Sequence, residues 1–206
     1  MRISSDKLFN RISPVYGLFY AKQGRYYSGA MELLQKELDL SLFERALDLG
    51  SGTGVLASVL EDTGLSVMGV DSAARMVELA RKKAASDRVH FMEGNVLEGL
   101  PFGDKFFDVS FASYVAHGLV AEDRKKLYQE MSRITKHWVL FLDYSQERSL
   151  LTNIVEWLEG GDYFHFIQNA GREMEECAHQ MQTCFTEVRI IPVAPRANWY
   201  MCRVGE

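Results

Sequence analysis

Ala46-Leu47-Asp48-Leu49-Gly50-Ser51-Gly52-Thr53-Gly54-Val55-Leu56-Ala57 is an apolar strand that ends in a glycine-rich turn and runs directly into a helix. Glycines in such a turn let the chain reverse tightly and let a ligand approach the backbone. A dinucleotide fingerprint, G-x-G-x-x-G, aligned on Gly50 and Gly52 needs its third glycine where this chain has Val55. The third glycine comes one residue early, at Gly54. Asp48 argues in the same direction. A loop that sits against a pyrophosphate works through helix-terminal N–H groups, and a carboxylate beside it repels the ligand. A cationic ligand without phosphate suits this loop better.

Working outward, Asp71 closes Val67-Met68-Gly69-Val70-Asp71, 21 residues after Gly50. An acid at the tip of the second strand can accept hydrogen bonds from both hydroxyls of a ribose. The alternative is that Asp71, with Ser72, only caps the following helix. The third strand ends in His90-Phe91-Met92-Glu93-Gly94-Asn95-Val96, where the Asn95 amide can donate to and accept from an adenine edge. The fourth ends in Phe111-Ala112-Ser113-Tyr114. Four consecutive strand ends with polar residues form a plausible crevice at the carboxyl edge of a parallel sheet.

Seven strands are expected: Arg45 to Leu49, Ser66 to Val70, Val89 to Met92, Val109 to Ala112, Trp138 to Asp143, Glu187 to Pro192, and Asn198 to Val204. Helical periodicity fills the gaps at Val55 to Glu61, Ala73 to Ala85 and Ala121 to Ile134. The last two strands are separated only by Ala194-Pro195-Arg196-Ala197, too short for a crossover, so they pair as an antiparallel hairpin. The fold class is therefore α/β, doubly wound, with a mostly parallel seven-stranded sheet, a terminal antiparallel hairpin and helices on both faces. A tyrosine-rich helical extension, Ser4 to Leu40, precedes it.

The chain has 206 residues, 47% of them hydrophobic, which suits one domain over 1–206. Within it, 1–40 is a helical cap and 145–186 a substrate-side insertion, longer than a simple crossover needs. The formal charge of -5 gives no cationic footprint for nucleic acid. Neither a secretory signal nor a membrane-length apolar segment stands out, so the expectation is a cytoplasmic protein with no membrane partner. Cys177, Cys184 and Cys202 form no C-x-x-C pair and read as buried thiols. No cluster of carboxylates suggests a metal.

From Ala46 to Asp143 these segments resemble the class I S-adenosylmethionine-dependent methyltransferases, with Asp48 to Gly54 as their D-x-G-x-G-x-G signature. The resemblance implies S-adenosylmethionine as cofactor and S-adenosylhomocysteine as product. It places Gly50, Gly52 and Gly54 along the methionine part, Asp71 on the ribose, and Asn95 with Val96 at the adenine. Family members often carry aspartate where this chain has Asn95. The implied cofactor set also takes in Tyr16, Asp48, Ser51, Ser72, Met76, Ala112 and Ser113. Phe9-Asn10-Arg11-Ile12-Ser13-Pro14-Val15-Tyr16-Gly17 looks like an element of the quinone-biosynthesis methyltransferases, with Asn10 and Gly17 each replacing an aspartate. Those enzymes have an Arg-Asn pair where this chain has Ser113-Tyr114, so a quinone acceptor does not follow.

The function implied is methyl transfer to a small-molecule acceptor by in-line displacement. A hydroxyl or carbon acceptor benefits from a base, for which His117, Asp143, Tyr144 and His165 are the candidates. His117 could instead cap or pack under the next helix, and Asp143 and Tyr144 could serve an exposed turn. Gly160-Gly161-Asp162-Tyr163-Phe164-His165-Phe166 reads either as a hinge with an aromatic substrate wall or as an extra helix on the sheet. Two other functions share these features: a non-catalytic S-adenosylmethionine-binding protein, and an NAD(P)-dependent oxidoreductase. The second conflicts with the glycine spacing and with Asp48.

Overall fold

The computed structural model describes residues 20–84, 86–145 and 176–205. Its elements are α1 (Tyr20–Leu34), β1 (Arg45–Leu49), α2 (Val55–Asp62), β2 (Ser66–Asp71), α3 (Ala74–Lys83), β3 (Val89–Glu93), β4 (Phe107–Ser113), α4 (Ala121–Ile134), β5 (Thr135–Tyr144), α5 (176–184), β6 (Glu187–Ala194) and β7 (Ala197–Arg203). Short 3-10 turns occur at Leu40–Leu42, Val96–Glu98 and Ala116–Gly118.

The strands form one sheet in the order β3-β2-β1-β4-β5-β7-β6. The first five are mutually parallel, and β7 runs antiparallel to both β5 and β6. Chain order reverses between β1 and β4, so the loops leaving these two strands diverge and open a crevice at their carboxyl ends. The hairpin closes on the pair Ala194↔Ala197, with Pro195 and Arg196 in the turn.

All seven strands fall where the apolar runs put them, but β4 begins at Phe107 and β5 at Thr135. Polar residues conceal both starts. Thr135 follows α4 immediately and bonds Ser110 through Oγ1···Oγ at 2.6 Å in the buried sheet. Lys136 donates to Asp108 Oδ1 at 2.7 Å. The side chains that interrupt the apolar pattern are thus paired with each other across β4 and β5.

Strand alternation divides the core into two layers. Ala46, Val67, Val109, Phe111, Leu140, Leu142, Trp199 and Met201 pack against α1, α2 and α3. Leu47, Leu49, Ala112, Val139, Phe141, Tyr200 and Cys202 pack against α4 and α5. Helix α1 is pinned to the first layer by buried Trp199, whose Nε1 donates to the Ala30 carbonyl at 2.8 Å. Cys177 and Cys202 are buried thiols, whereas Cys184 is half-buried. Among the described residues no helix is long and apolar enough to cross a membrane.

Candidate functional site

Strand β1 delivers the chain to the crevice, where Gly50, Gly52 and Gly54 all take positive φ, at 69°, 52° and 82°. The outer two are required by packing as well as by backbone conformation. A methyl group on Gly50 would lie 2.4 Å from Val115 Cγ2, and one on Gly54 would lie 2.6 Å from Phe91 Cζ. The middle one differs, because among the described residues a methyl on Gly52 would meet nothing within 4 Å. Its bare backbone faces open space that a ligand can fill. Phe91 escaped the sequence reading although a signal was present. Gly69, a glycine inside a strand, pairs in register with Phe91, and the ring lies where a Gly69 side chain would be.

Asp71 at the tip of β2 ties this loop to the next element. Its Oδ2 accepts from Gly52 N at 2.8 Å and its Oδ1 from Ala73 N at 2.8 Å. The helix-cap alternative accounts for only the second bond, and the cap residue of α3 is Ala73.

Asp48, 1% exposed, lies under the same loop. Burial, reinforced by the charge of Asp71, pushes its carboxyl up to about 8, against the pull of the Ala57 N–H in the first turn of α2. Among the described residues, its Oδ2 and the Ser51 Oγ are buried without a hydrogen-bond partner. An under-satisfied acid beneath a bare glycine loop fits a cationic ligand and opposes a pyrophosphate. The residues present therefore fit S-adenosylmethionine, whose amino and sulfonium groups are cationic.

The adenine side is less open than expected. Asn95 Oδ1 accepts from Leu97 N at 3.1 Å and its Nδ2 donates to Glu98 Oε1 at 2.9 Å, so the amide caps the short turn that follows. Val96 is half-buried beside it, and Ser72 is exposed at the mouth. Met76 is 2% exposed on α3 and Ala112 1% exposed in β4, so both are core side chains. Ser113 Oγ is 3.0 Å from Tyr27 Oη.

On the other side of the glycine loop, β4 ends at Ser113 and Tyr114 takes φ 55°, rare for an aromatic residue. This reversal carries the turn Ala116–Gly118 over the end of β5. There the His117 Nδ1 lies 2.9 Å from Asp143 Oδ1 and the His117 N donates to Asp143 Oδ2 at 3.2 Å. Tyr144 N donates to Asp143 Oδ1 at 2.8 Å. Asp143 is 1% exposed, so the exposed-turn alternative fails: its carboxylate is a buried anchor for His117. The Tyr144 ring stands edge-on to His117 at 4.9 Å and to Tyr114 at 5.3 Å.

Two residues of α1 complete this side. Tyr26 Oη is 2.7 Å from Tyr114 Oη, and Tyr27 reaches Ser113 as above. Burial holds the Tyr26 hydroxyl above its ordinary pKa, although its bond to Tyr114 pulls the other way. The same effect, stronger, raises Tyr114. Tyrosine enrichment of the extension was visible in sequence, but a contact across 88 residues is not. Tyr16, His165 and the aromatic run Tyr163 to Phe166 lie outside the described residues.

Residues 47–142 match the methyltransferase domain family. The chain is 32% identical over 132 residues to the uncharacterized methyltransferase YcgJ of Bacillus subtilis, covering 61% of this chain and 51% of that protein. It is 37% identical over 94 residues to a demethylmenaquinone methyltransferase of Clavibacter sepedonicus, covering 45% and 37%. It thus spans about half, or less, of the length of these two relatives. A crystal structure of an S-adenosylmethionine-dependent methyltransferase from Aquifex aeolicus shares the fold with a TM-score of 0.65 at 19% identity, covering 84% of this chain and 89% of the other. The glycine loop after β1 and Asp71 at the tip of β2 both fall inside the stretch that matches the methyltransferase domain, and the fold is one that the chain shares with S-adenosylmethionine-dependent methyltransferases of known structure.

Proposed function

We propose that this protein transfers a methyl group from S-adenosylmethionine to a small-molecule acceptor by in-line displacement, releasing S-adenosylhomocysteine. The observation that carries the reading is Asp48, buried and under-satisfied near the end of β1, where the strand leads into the bare glycine loop. In this reading Gly50, Ser51, Gly52 and Gly54 line the methionine part. Asp71 and Ser72 take the ribose, while Asn95, Val96 and Met76 bound the adenine. Ala112 and Ser113 floor the passage to the acceptor. When bound, the cofactor supplies an electrophilic methyl group on a sulfonium sulfur. The protein contributes orientation and exclusion of water, the main sources of rate available for such a displacement. The net charge of -5 supports a small acceptor over nucleic acid. Residues 1–206 act as one unit, with 1–40 as cap and 145–186 on the acceptor side.

Calorimetry on cofactor-free protein tests this. S-Adenosylmethionine and S-adenosylhomocysteine should bind and NAD should not; binding of NAD alone overturns the reading. Release of S-adenosylhomocysteine when an acceptor is added separates an enzyme from a binding protein.

A further inference from the structure

We infer that His117 and Asp143 form a general-base pair for an aromatic hydroxyl acceptor, so that the protein methylates the oxygen of a phenol. The inference rests on the methyl-transfer reading above and adds the acceptor atom and its chemical class.

Three donors converge on the Asp143 carboxylate: the His117 ring nitrogen, the His117 amide and the Tyr144 amide. A carboxylate only accepts, so Nδ1 carries the hydrogen and the basic electron pair of the ring is at Nε2. Exposure separates the two roles. The Asp143 side chain is 1% exposed and that of His117 17%, so the carboxylate is sealed more completely than the imidazole it holds. The positive φ of Tyr114 is what aims this turn, and backbone conformations of that kind cost free energy unless the surroundings enforce them. Val115, one residue further on, packs on Gly50, which fixes the turn directly against the cofactor loop.

The chemistry of the acceptor follows from the need for a base. A neutral amine attacks through a lone pair it already has, and a thiol ionises readily near neutrality. A hydroxyl is a weak nucleophile until its proton is taken, and a histidine held in one tautomer by a buried carboxylate is built for that transfer. The walls indicate the ring. Tyr114 and Tyr144 flank His117 at centroid distances of 6.3 and 4.9 Å and stand 5.3 Å from each other, an aromatic surface that favours a planar acceptor. In the step itself the phenol oxygen bonds to the methyl carbon. The carbon–sulfur bond breaks with its electron pair going to sulfur, and the hydroxyl proton passes to Nε2 of His117. The resulting imidazolium is stabilised by Asp143.

The test compares wild type, His117→Gln and Asp143→Asn on phenol, aniline, thiophenol and 4-nitrophenol, with cofactor affinity measured for each protein by calorimetry. The expected result is methylation of phenol by wild type. His117→Gln should lower kcat on phenol by roughly 10²- to 10⁴-fold with cofactor affinity changed less than about twofold. On 4-nitrophenol, assayed where it is already ionised, the same variant should lose less than about tenfold. A second readout needs no turnover. Below the pKa of free 4-nitrophenol, wild type holding S-adenosylhomocysteine should raise the yellow phenolate absorbance of the bound phenol, and His117→Gln should not. Equal losses on phenol and nitrophenolate, or methylation of aniline or thiophenol without phenol, overturn the pairing of this base with a hydroxyl. Failure of the wild type to bind the cofactor overturns the underlying reading instead.

Discussion

Val115 lies against the bare Cα of Gly50, so close that a methyl group added to Gly50 would come within 2.4 Å of Val115 Cγ2. Gly50 leaves β1 and Val115 follows β4, neighbouring parallel strands at which the sheet changes direction. The contact therefore joins the two halves of the site: the glycine loop with Asp48 and Asp71 on one side, the turn carrying His117 on the other. Neither can move far without the other, since packed elements transmit displacement.

Gly50→Ala should consequently damage both halves. The left-handed conformation costs about 1–2 kcal/mol for a non-glycine residue, and the overlap with Val115 adds about 1–3 kcal/mol. Cofactor affinity should fall at least about tenfold by calorimetry. Adding Val115→Ala should recover the steric part only; full recovery would show that φ 69° at Gly50 is unimportant.

Asp48 makes the cofactor-free protein sensitive to alkali. Its folded-state carboxyl sits at about 8, above the value of 3.8 for a free aspartate, so the folded protein holds a proton that the unfolded chain has released. Stability should decline as pH rises from about 4 to about 8, approaching a slope of about 1.4 kcal/mol per pH unit between these values. Denaturant melts across this range should show that slope in wild type and its loss in Asp48→Asn. Because a cationic ligand favours the ionised acid, cofactor binding at pH 7 should release protons, seen as a binding enthalpy that depends on the buffer. An enthalpy independent of buffer would place the charge of Asp48 elsewhere.

Sequence was a good guide to whatever is local along the chain and a poor one to what is local only in space. Gly50, Gly52 and Gly54 announce the loop because positive φ leaves a direct trace in residue choice. Asp71 was legible as a strand-tip acid, but its bond to Gly52 N, which makes it part of the loop, was not. Asp143 misled because it borders a turn, and its burial is created by the His117 turn folding over it. The acceptor side is the hardest to read, since Tyr26, Tyr27, Tyr114 and His117 come from two segments whose meeting depends on Trp199 holding α1.

Asp108 supplies a contrasting pH effect far from the site. Burial opposes its ionisation, but the Lys136 ammonium and the amides of Arg45 and Glu44 outweigh it and hold the carboxyl at about 2. The folded value is depressed, so its stabilisation, about 2 kcal/mol, is complete above about pH 4 and is lost as pH falls towards 2. Asp108→Asn should lower stability at neutral pH by about 1–2 kcal/mol and converge with wild type below pH 2. Asp108 lies at the start of β4 beside the start of β1, the edge opposite the crevice, so cofactor affinity should not change.

Asp71→Ala should weaken cofactor binding by about 10- to 100-fold, through loss of charge-assisted hydrogen bonds worth about 1.5–3 kcal/mol. Part of that loss belongs to the loop, since Gly52 N and Ala73 N lose their acceptor together. Asp71→Asn separates the contributions. The amide oxygen can still accept from one of the two N–H groups, so this variant should fold like wild type by thermal melt while remaining weak in cofactor binding. Unchanged affinity in both variants would remove Asp71 from the ribose.

Tyr26→Phe distinguishes a tether from a working part of the acceptor site. The substitution removes one hydroxyl from the 2.7 Å bond to Tyr114 and leaves the ring of residue 26 packed against the first core layer. If Tyr26 only fastens α1, the loss of one hydrogen bond, about 0.5–1.5 kcal/mol, appears as a lower melting temperature and nothing else. If it orients Tyr114 beside His117, as the ring distance of 6.3 Å implies, kcat/KM for a phenol should fall about 2- to 10-fold while cofactor affinity is unchanged. Tyr27→Phe provides the comparison, since Tyr27 bonds Ser113 rather than an aromatic ring facing the base. A larger catalytic loss in Tyr26→Phe than in Tyr27→Phe, at similar melting temperatures, assigns the acceptor wall to Tyr114. Equal losses would mean that both tyrosines act only by holding α1 in place.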